Sequence, residues 1–318
     1  MQKPPVVFLV FNRPGVTAEV FAAIRAYRPA QLFVVCDAPR AHKTGEAEKV
    51  AAVRRLITDG VDWPCELHCD FAEQNLGCRD RIASGLNAVF ARVESAIILE
   101  DDCLPSPGFF TYCEAMLERY RDDARIVHIG GTNMIAPYHQ DRTSYWFTRH
   151  SWIWGWATWR RAWETYDFTM STWRERLPLM TSTFASRWES QYWLSTWDEA
   201  RRDLQKANTW GFPWMYSCRS SGGLSILPRE NLIRNLGFSA DSTHTREDMN
   251  RLDLSLGRFE GPIVHPSTVA ADRYKDELFT RVYCGAPLDF RSNLKSRLRT
   301  WFAAPAPAPA SPAPAATA

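Results

Sequence analysis

Three consecutive carboxylates, Glu100-Asp101-Asp102, close the short apolar run Ile97-Ile98-Leu99. Adjacent acids repel one another, so their place at the end of a buried strand implies that something cationic binds there. Hard carboxylate oxygens suit magnesium or manganese, and such a metal offsets the charge of a diphosphate held beside it. The plainer alternative is a solvated strand end running into a helix cap, since Pro105, Ser106 and Pro107 follow at once. Further candidates for chemistry stand at the ends of two other apolar runs: Asn12-Arg13 after Val6–Phe11, and Asp37 after Leu32–Cys36.

These runs read as parallel strands buried on both faces. Helical patterns separate them, at Thr17–Tyr27, Glu46–Thr58 and Arg79–Arg92, with a further strand at Cys65–Cys69. The alternation predicts an α/β fold with a doubly wound, mostly parallel sheet flanked by helices. Ligands of such sheets sit beyond the carboxyl ends of the strands, so Arg13, Asp37 and the acidic triplet should converge on one cleft. From about Ala124 the rhythm changes. Strands are expected at Ile126–Ile129 and Leu224–Leu227, and helices near Thr158–Tyr166 and across Phe184–Lys206. Residues 1–123 form a ligand-binding half and 124–290 a second half of the same domain. Residues 291–302 are expected to form a basic amphipathic helix, and 303–318 a disordered Pro/Ala tail.

Composition narrows the partners. The 318 residues carry a formal net charge of +2, and the basic excess clusters only near the C-terminus, so nucleic acid is not an expected partner. Of 14 tryptophans nearly all lie between Trp146 and Trp214, which makes the second half an aromatic core or a surface for stacking on sugar rings. The eight cysteines show neither paired zinc spacing nor a disulfide framework, and Cys65-Glu-Leu-His68-Cys69 reads as ordinary buried thiols. No signal peptide and no membrane-length apolar run is evident, so a cytoplasmic protein is expected. Between Arg291 and Phe302 the apolar Leu294, Leu298, Trp301 and Phe302 share a helical face among basic residues. That pattern suits peripheral contact with anionic lipid at the inner membrane, or packing on the domain.

Taken in order, Phe11-Asn-Arg-Pro14, Tyr27-Arg-Pro29, Asp37, Gln74-Asn-Leu-Gly77 and Leu99-Glu-Asp-Asp102 form a recognisable series. It continues through Pro107, Phe109, Phe110, Trp154-Gly-Trp156, Arg160 and Trp163 to Leu224-Ser-Ile-Leu-Pro228, Asn235-Leu-Gly237 and Thr243-His-Thr245. From Pro5 to about Arg246 the chain resembles nucleotide-sugar-dependent glycosyltransferases of the GT-A fold. It is most similar to the bacterial hemolytic-protein-like group and more distantly similar to the N-acetylglucosaminyltransferase I enzymes. The resemblance implies a Mn2+- or Mg2+-dependent, inverting transferase that moves a sugar from a nucleoside diphosphate sugar to a surface glycan or lipid-linked acceptor. The donor would be a UDP-sugar, with UDP-N-acetylglucosamine by distant analogy. By similarity Asp102 ligates the metal, Asp101 contacts the ribose and Glu100 faces the donor sugar. Asp37 binds base or ribose with Arg13 nearby, and Arg79 and Arg81 meet the diphosphate or sugar unless they are exposed helix-start charges. His244 resembles a histidine placed on metal or phosphate.

Gly155 and Trp156 are expected at the meeting of donor sugar and acceptor, glycine giving room and tryptophan a stacking plane. Trp163, Trp188 and Trp193 are expected in the core. An inverting transferase needs a carboxylate base, and relatives carry an aspartate in the segment matching Thr209–Trp214, where this chain has Gly211 and no acid. The base then comes from elsewhere (Asp198 first, with Glu189 and Asp241 behind it), or the register differs, or activity is altered. Two other classes remain open. One is a sugar nucleotidyltransferase, although Asn12-Arg-Pro-Gly15 is poor in glycine for a phosphate loop. The other is a non-catalytic carbohydrate- or nucleotide-binding relative of the fold.

Overall fold

A computed structural model describes residues 3–139, 142–238 and 254–287. Val6–Val10 (β1) is wholly buried, as its unbroken apolar sequence requires. Pro14 then starts α1 (Pro14–Tyr27), its missing N–H costing nothing in a first turn. The helix stops where Arg28 turns left-handed (φ 56°) ahead of Pro29. The alternation continues with β2 (Gln31–Cys36), α2 (Glu46–Gly60), β3 (Glu66–Phe71), α3 (Gly77–Phe90) and β4 (Ser95–Glu100). Next come β5 (Cys103–Pro105), α4 (Pro107–Arg119), β6 (Ile126–Gly130), β7 (Tyr145–Thr148), β8 (Trp156–Trp159), α5 (Arg160–Trp163) and α6 (Trp173–Thr183). The second half closes with α7 (Arg187–Arg202), α8 (Leu204–Ala207), α9 (Gly211–Ser220), β9 (Leu224–Pro228), β10 (Ile233–Asn235) and α10 (Arg273–Cys284).

One eight-stranded sheet in the order β3-β2-β1-β4-β8-β6-β9-β7 runs through the chain. The strands from β3 to β4 are mutually parallel, and β6 is parallel to β9. Strand β8 lies antiparallel between β4 and β6, and β7 antiparallel at the edge beside β9. The fold class is therefore the expected α/β one, with antiparallel strands confined to the second half. Strand order reverses between β1 and β4: from β1 the chain builds outward to β3, then returns to β1's other side. A crevice opens at such a switch point. A second, two-stranded sheet pairs β10 antiparallel with β5 directly after the acidic triplet.

The structure corrects two expected helices. Trp156–Trp159 forms β8 rather than the start of a helix, because its aromatic and β-branched side chains fill the gap between β4 and β6. Only Arg160–Trp163 is helical in the expected Thr158–Tyr166 stretch. Phe184–Lys206 divides into α7 and α8, each begun by a capping side chain: Ser186 accepts from the Glu189 amide and Asp203 from that of Lys206.

Trp156 has no exposed surface and so is not the stacking plane expected of it. One face lies on the His128 ring, with centroids 5.3 Å apart, and Trp210 stacks at 5.7 Å. Trp163 and Trp214 close the same cluster. Burial drives the His128 pKa down to about 3, so the ring is neutral. Its Nδ1 accepts from Trp214 Nε1 at 3.2 Å, which leaves Nε2 to donate to the Trp152 carbonyl. The room at Gly155 (φ 59°) is likewise taken from within, since a Cβ there would stand 2.2 Å from Ile233 Cδ1. Trp163 and Trp193 are core as expected, and Trp188 is half-buried under Arg281. Trp156→Ala should cost about 3–5 kcal/mol of unfolding free energy, the usual range for emptying a tryptophan-sized core site. A urea titration followed by far-UV circular dichroism measures it, and a near-neutral result would contradict this packing.

Candidate active site

The β1–β4 pairing brings the end of one strand to the end of the other, with Leu9 beside Glu100. Beyond β1 the chain turns through Phe11 and Asn12, and Arg13 reaches across to the triplet. Its Nη2 pairs with Asp101 Oδ1 and, at 3.0 Å, with Asp102 Oδ2. The Phe11 amide adds a long hydrogen bond of 3.4 Å to Asp101 Oδ2. Burial alone would lower the Arg13 pKa, but the two carboxylates outweigh it and lift the guanidinium above its ordinary value. Arg13 pairs with two of the three acids, and among the described residues Glu100 has no ion pair.

That imbalance is visible in the carboxyl groups. Burial first, then the charges of Asp102 and Asp101, push Glu100 up to about 8. Asp101 is pushed up to about 6, burial and Asp102 prevailing over Arg13. Crowding by the fold, then the charges of Glu100, Asp37, Asp101 and Asp102, raise the thiol of Cys78, an exposed residue at the start of α3, a sign that this turn lies beside the triplet. The residues therefore fit a hard divalent cation, through their oxygen donors and their excess negative charge. Among the described residues no group of three His, Cys, Asp or Glu side chains converges on one point. A cation here would complete its shell with phosphate oxygens and water, as magnesium commonly does.

The two-stranded sheet lines the other side. Asn235 pairs with Cys103, and the Leu236 amide donates to the Asp102 carbonyl at 2.7 Å. Gly237 packs so closely that a Cβ would lie 2.6 Å from Asp102 Oδ2. The chain thus departs from beside Asp102 toward Asp241 and His244, which lie outside the described residues, as do 291–302 and the tail.

Three expected donor-site residues are placed otherwise. Asp37 stands at the end of β2, but its oxygens are committed to the chain. Oδ1 accepts from the amides of Ala38 (2.8 Å) and Leu76 (3.0 Å), and Oδ2 from Asn75 Nδ2 (3.0 Å) and the Gly77 amide (2.9 Å). It fixes the turn that starts α3 rather than offering a free carboxylate to a base or ribose. Arg81 is buried and points back to the sheet, bonding the carbonyls of Cys36 (3.3 Å) and Asp70 (2.7 Å) and pairing with the Asp70 carboxylate. Arg79 is also buried, paired with Asp80 and lying over the Phe168 ring at 4.6 Å. Both arginines are structural charges, neither exposed nor joined to the triplet by a described hydrogen bond or ion pair.

Asp198 sits on α7, paired with Arg201 and Arg202, and the Arg201 hydrogen bond holds it below the usual carboxylate range. A general base works best with a pKa near the operating pH, so this pairing counts against Asp198 in that role. Glu189 is wholly buried against His150 and Arg219. At Gly211, the first residue of α9, a Cβ would meet Ile153 Cδ1 at 2.5 Å, so an aspartate there would need Ile153 to withdraw.

One part of the site left no local trace in the sequence. Glu46, at the start of α2, accepts from Asn12 Nδ2 (2.8 Å), the Arg40 amide (2.6 Å) and the Arg40 guanidinium. Arg40 holds the Glu46 carboxyl down near about 2. This clasp fixes the β1–α1 turn that carries Arg13. An acid in a first helical turn suits the helix dipole, but its partner Asn12 is too distant in sequence to be paired with it by spacing.

No protein-family model matches the chain, and no curated protein matches it. Among solved structures, HddC from Yersinia pseudotuberculosis is 11% identical with a TM-score of 0.33, covering 52% of this chain and 80% of its own. S. aureus TarS 1-349 is 12% identical with a TM-score of 0.34, covering 50% of this chain and 47% of its own. A UDP-glucose pyrophosphorylase complexed with UDP-glucose is 9% identical with a TM-score of 0.33, covering 70% and 89%. Likeness at these scores carries no argument about activity, so function is read from the site.

The raised carboxyls give the metal-free protein a definite pH dependence. A carboxyl whose folded pKa lies above its unfolded value stabilises less as it ionises, so stability should fall as pH rises from the ordinary carboxylate range through about 8. Manganese should offset this loss, and its gain in Tm should be larger at high pH than at low pH, where protons compete. Differential scanning fluorimetry across pH, with and without Mn2+, reads both. A manganese gain that does not grow with pH would contradict the charge imbalance.

Proposed function

We propose that this chain is a metal-dependent glycosyltransferase that takes its sugar from a nucleoside diphosphate sugar. The observation that carries the reading is the meeting of Arg13 with Asp101 and Asp102 at the reversal of strand order between β1 and β4. Ligands of open α/β sheets lie in that crevice. Asp102 would hold a Mn2+ or Mg2+ ion, with His244 as a further candidate ligand and Glu100 facing the donor sugar. When bound, the ion offsets the charge that develops on the departing diphosphate. Arg13 holds Asp101 and one oxygen of Asp102 in place, and the Glu46 clasp holds the turn that carries Arg13. Asp101, braced in this way, is proposed to face the ribose. The donor is proposed to be a UDP-sugar, UDP-N-acetylglucosamine in particular, with inversion at the sugar carbon and a surface glycan or lipid-linked acceptor. Asp241 is the proposed base, carried by the segment that departs from beside Asp102.

The glycine-poor turn after β1, with Pro14 at the helix start, disfavours a nucleotidyltransferase. The closed environment of Gly211 favours a second reading, a nucleotide-binding relative that does not transfer. No helix among the described residues is long and apolar enough to cross a membrane. Peripheral contact through residues 291–302 is proposed from the sequence.

Calorimetric titration of UDP, GDP, CDP and dTDP, with and without Mn2+, tests the donor site. One nucleotide should bind selectively and only with metal, and Asp102→Ala should abolish that binding while the melting transition persists. Binding that survives Asp102→Ala would overturn the metal assignment. Metal-dependent binding without release of UDP from any donor sugar would favour the second reading. The joint change Arg297→Glu and Arg299→Glu should reduce sedimentation with anionic liposomes, and unaltered sedimentation would remove the membrane contact.

A further inference from the structure

A groove of about 730 Å³ is lined along α3, from Asp80 to Ala91 just past its end. One wall is α3 itself, presenting Asp80, Ser84 and Asn87, and the other is the end of α5 and the segment after it, with Trp163, Tyr166 and Phe168. From Asp80 to Ala91 at its far end the helix rises about 16 Å, at 1.5 Å per residue. That makes the groove an elongated slot rather than a round pocket, and its volume lies within the range of small-ligand sites.

The aromatic wall is fixed before any ligand arrives. Tyr166 stacks on Trp163 with centroids 4.4 Å apart, and Phe90 stacks on Trp163 from behind. Trp163 Nε1 donates to Asn87 Oδ1 at 2.8 Å and Tyr166 Oη to the Trp210 carbonyl at 3.1 Å. Phe168 is held by Arg79 over its ring. Tyr166 and Phe168 are only half-buried. Such preorganised rings lose little freedom on binding.

The polar groups select the ligand. Of the charged side chains lining the groove, Asp80 is paired with Arg79, and Arg160 with Glu94 and the Phe90 carbonyl, which leaves the Glu164 carboxylate as the charge with no described ion pair. This charge balance repels phosphates and carboxylates. Carboxylate, amide and hydroxyl side chains accept from and donate to hydroxyl groups, and flat rings cover apolar faces. A ligand both long and ringed with hydroxyls over apolar faces is a linear neutral oligosaccharide.

We propose that this groove is a glycan-binding subsite, holding a short run of linked pyranose rings along α3. Asp80 and Phe168 at one end of the groove both contact Arg79, in the first turn of α3 beside the acidic triplet, so a glycan in the groove would lead away from the cleft. The choice of a saccharide draws on the transferase reading; the shape and charge of the groove do not.

Saturation-transfer NMR with cellotriose, chitotriose and maltotriose tests the proposal on the full chain. At least one should receive saturation from the protein with no nucleotide or metal present. Ser84→Trp, which fills the slot from an exposed position, and Phe168→Ala, which removes a ring, should each weaken binding by about tenfold or more. Ser84→Ala gives up the serine's contacts with Arg81 but leaves the slot open, so it should still bind. Transfer to none of the three sugars, or transfer undiminished in both Ser84→Trp and Phe168→Ala, would overturn the subsite. UDP titration of the same variants keeps the two ideas apart, since the donor cleft can fail while the groove binds, and the reverse.

Discussion

Three like charges at the end of a buried strand form the constraint around which the rest of the cleft is arranged. Strand β4 needs its apolar residues inside the sheet, so the carboxylates following it cannot simply turn out to solvent. The fold answers with one guanidinium from the neighbouring strand end, and that answer is incomplete. Arg13 itself needs a fixed turn, which the Glu46 clasp supplies from α2. On the far side β5 and β10 wrap the triplet in a small sheet of their own. The charge left over is the part of the structure that asks for a ligand.

Much of this was legible in the sequence, and the limits have physical causes. Val6–Phe11, Leu32–Cys36 and Ile97–Leu99 announce parallel strands because both faces of the sheet are covered, which leaves an unbroken apolar run. The convergence of Arg13 with the triplet followed from that topology alone. Asp37 was placed at the correct strand end, but its commitment to the amides of Ala38, Leu76 and Gly77 depends on a loop from another part of the chain. Arg81 carries no local sign that it reaches back to the carbonyls of β2 and β3. Trp156-Ala-Thr-Trp159 reads equally well as helix or strand, and the gap between β4 and β6 decides it. Such outcomes are set by tertiary packing, to which periodicity is blind.

The second half spends its polar residues differently. Glu189, His150, Arg219 and Asp276 are all buried, and they join α7, α9 and α10 to the sheet end near Thr148. Burial lowers Arg219 to about 10 and raises the Asp276 carboxyl. Removing one member of such a set leaves an uncompensated charge in the interior, which costs more than the pair contributes. Glu189 is thus absorbed into structure, and Asp198 is held on α7 by Arg201 and Arg202.

The indoles of Trp156, Trp163, Trp210 and Trp214 lie within about one ring diameter of one another, the closest pair having centroids 5.1 Å apart. Chromophores so near do not absorb independently: their transitions mix, and excitation passes among them. The near-ultraviolet spectrum of this protein therefore carries the geometry of this buried knot, beside that of the Trp152–Trp154 and Trp193–Trp197 pairs, and fixed tertiary packing is what such spectra record. Light absorbed there reports on the seam where α9 meets the sheet at β8, the strand that pairs with β4 through Ile98 and Trp156.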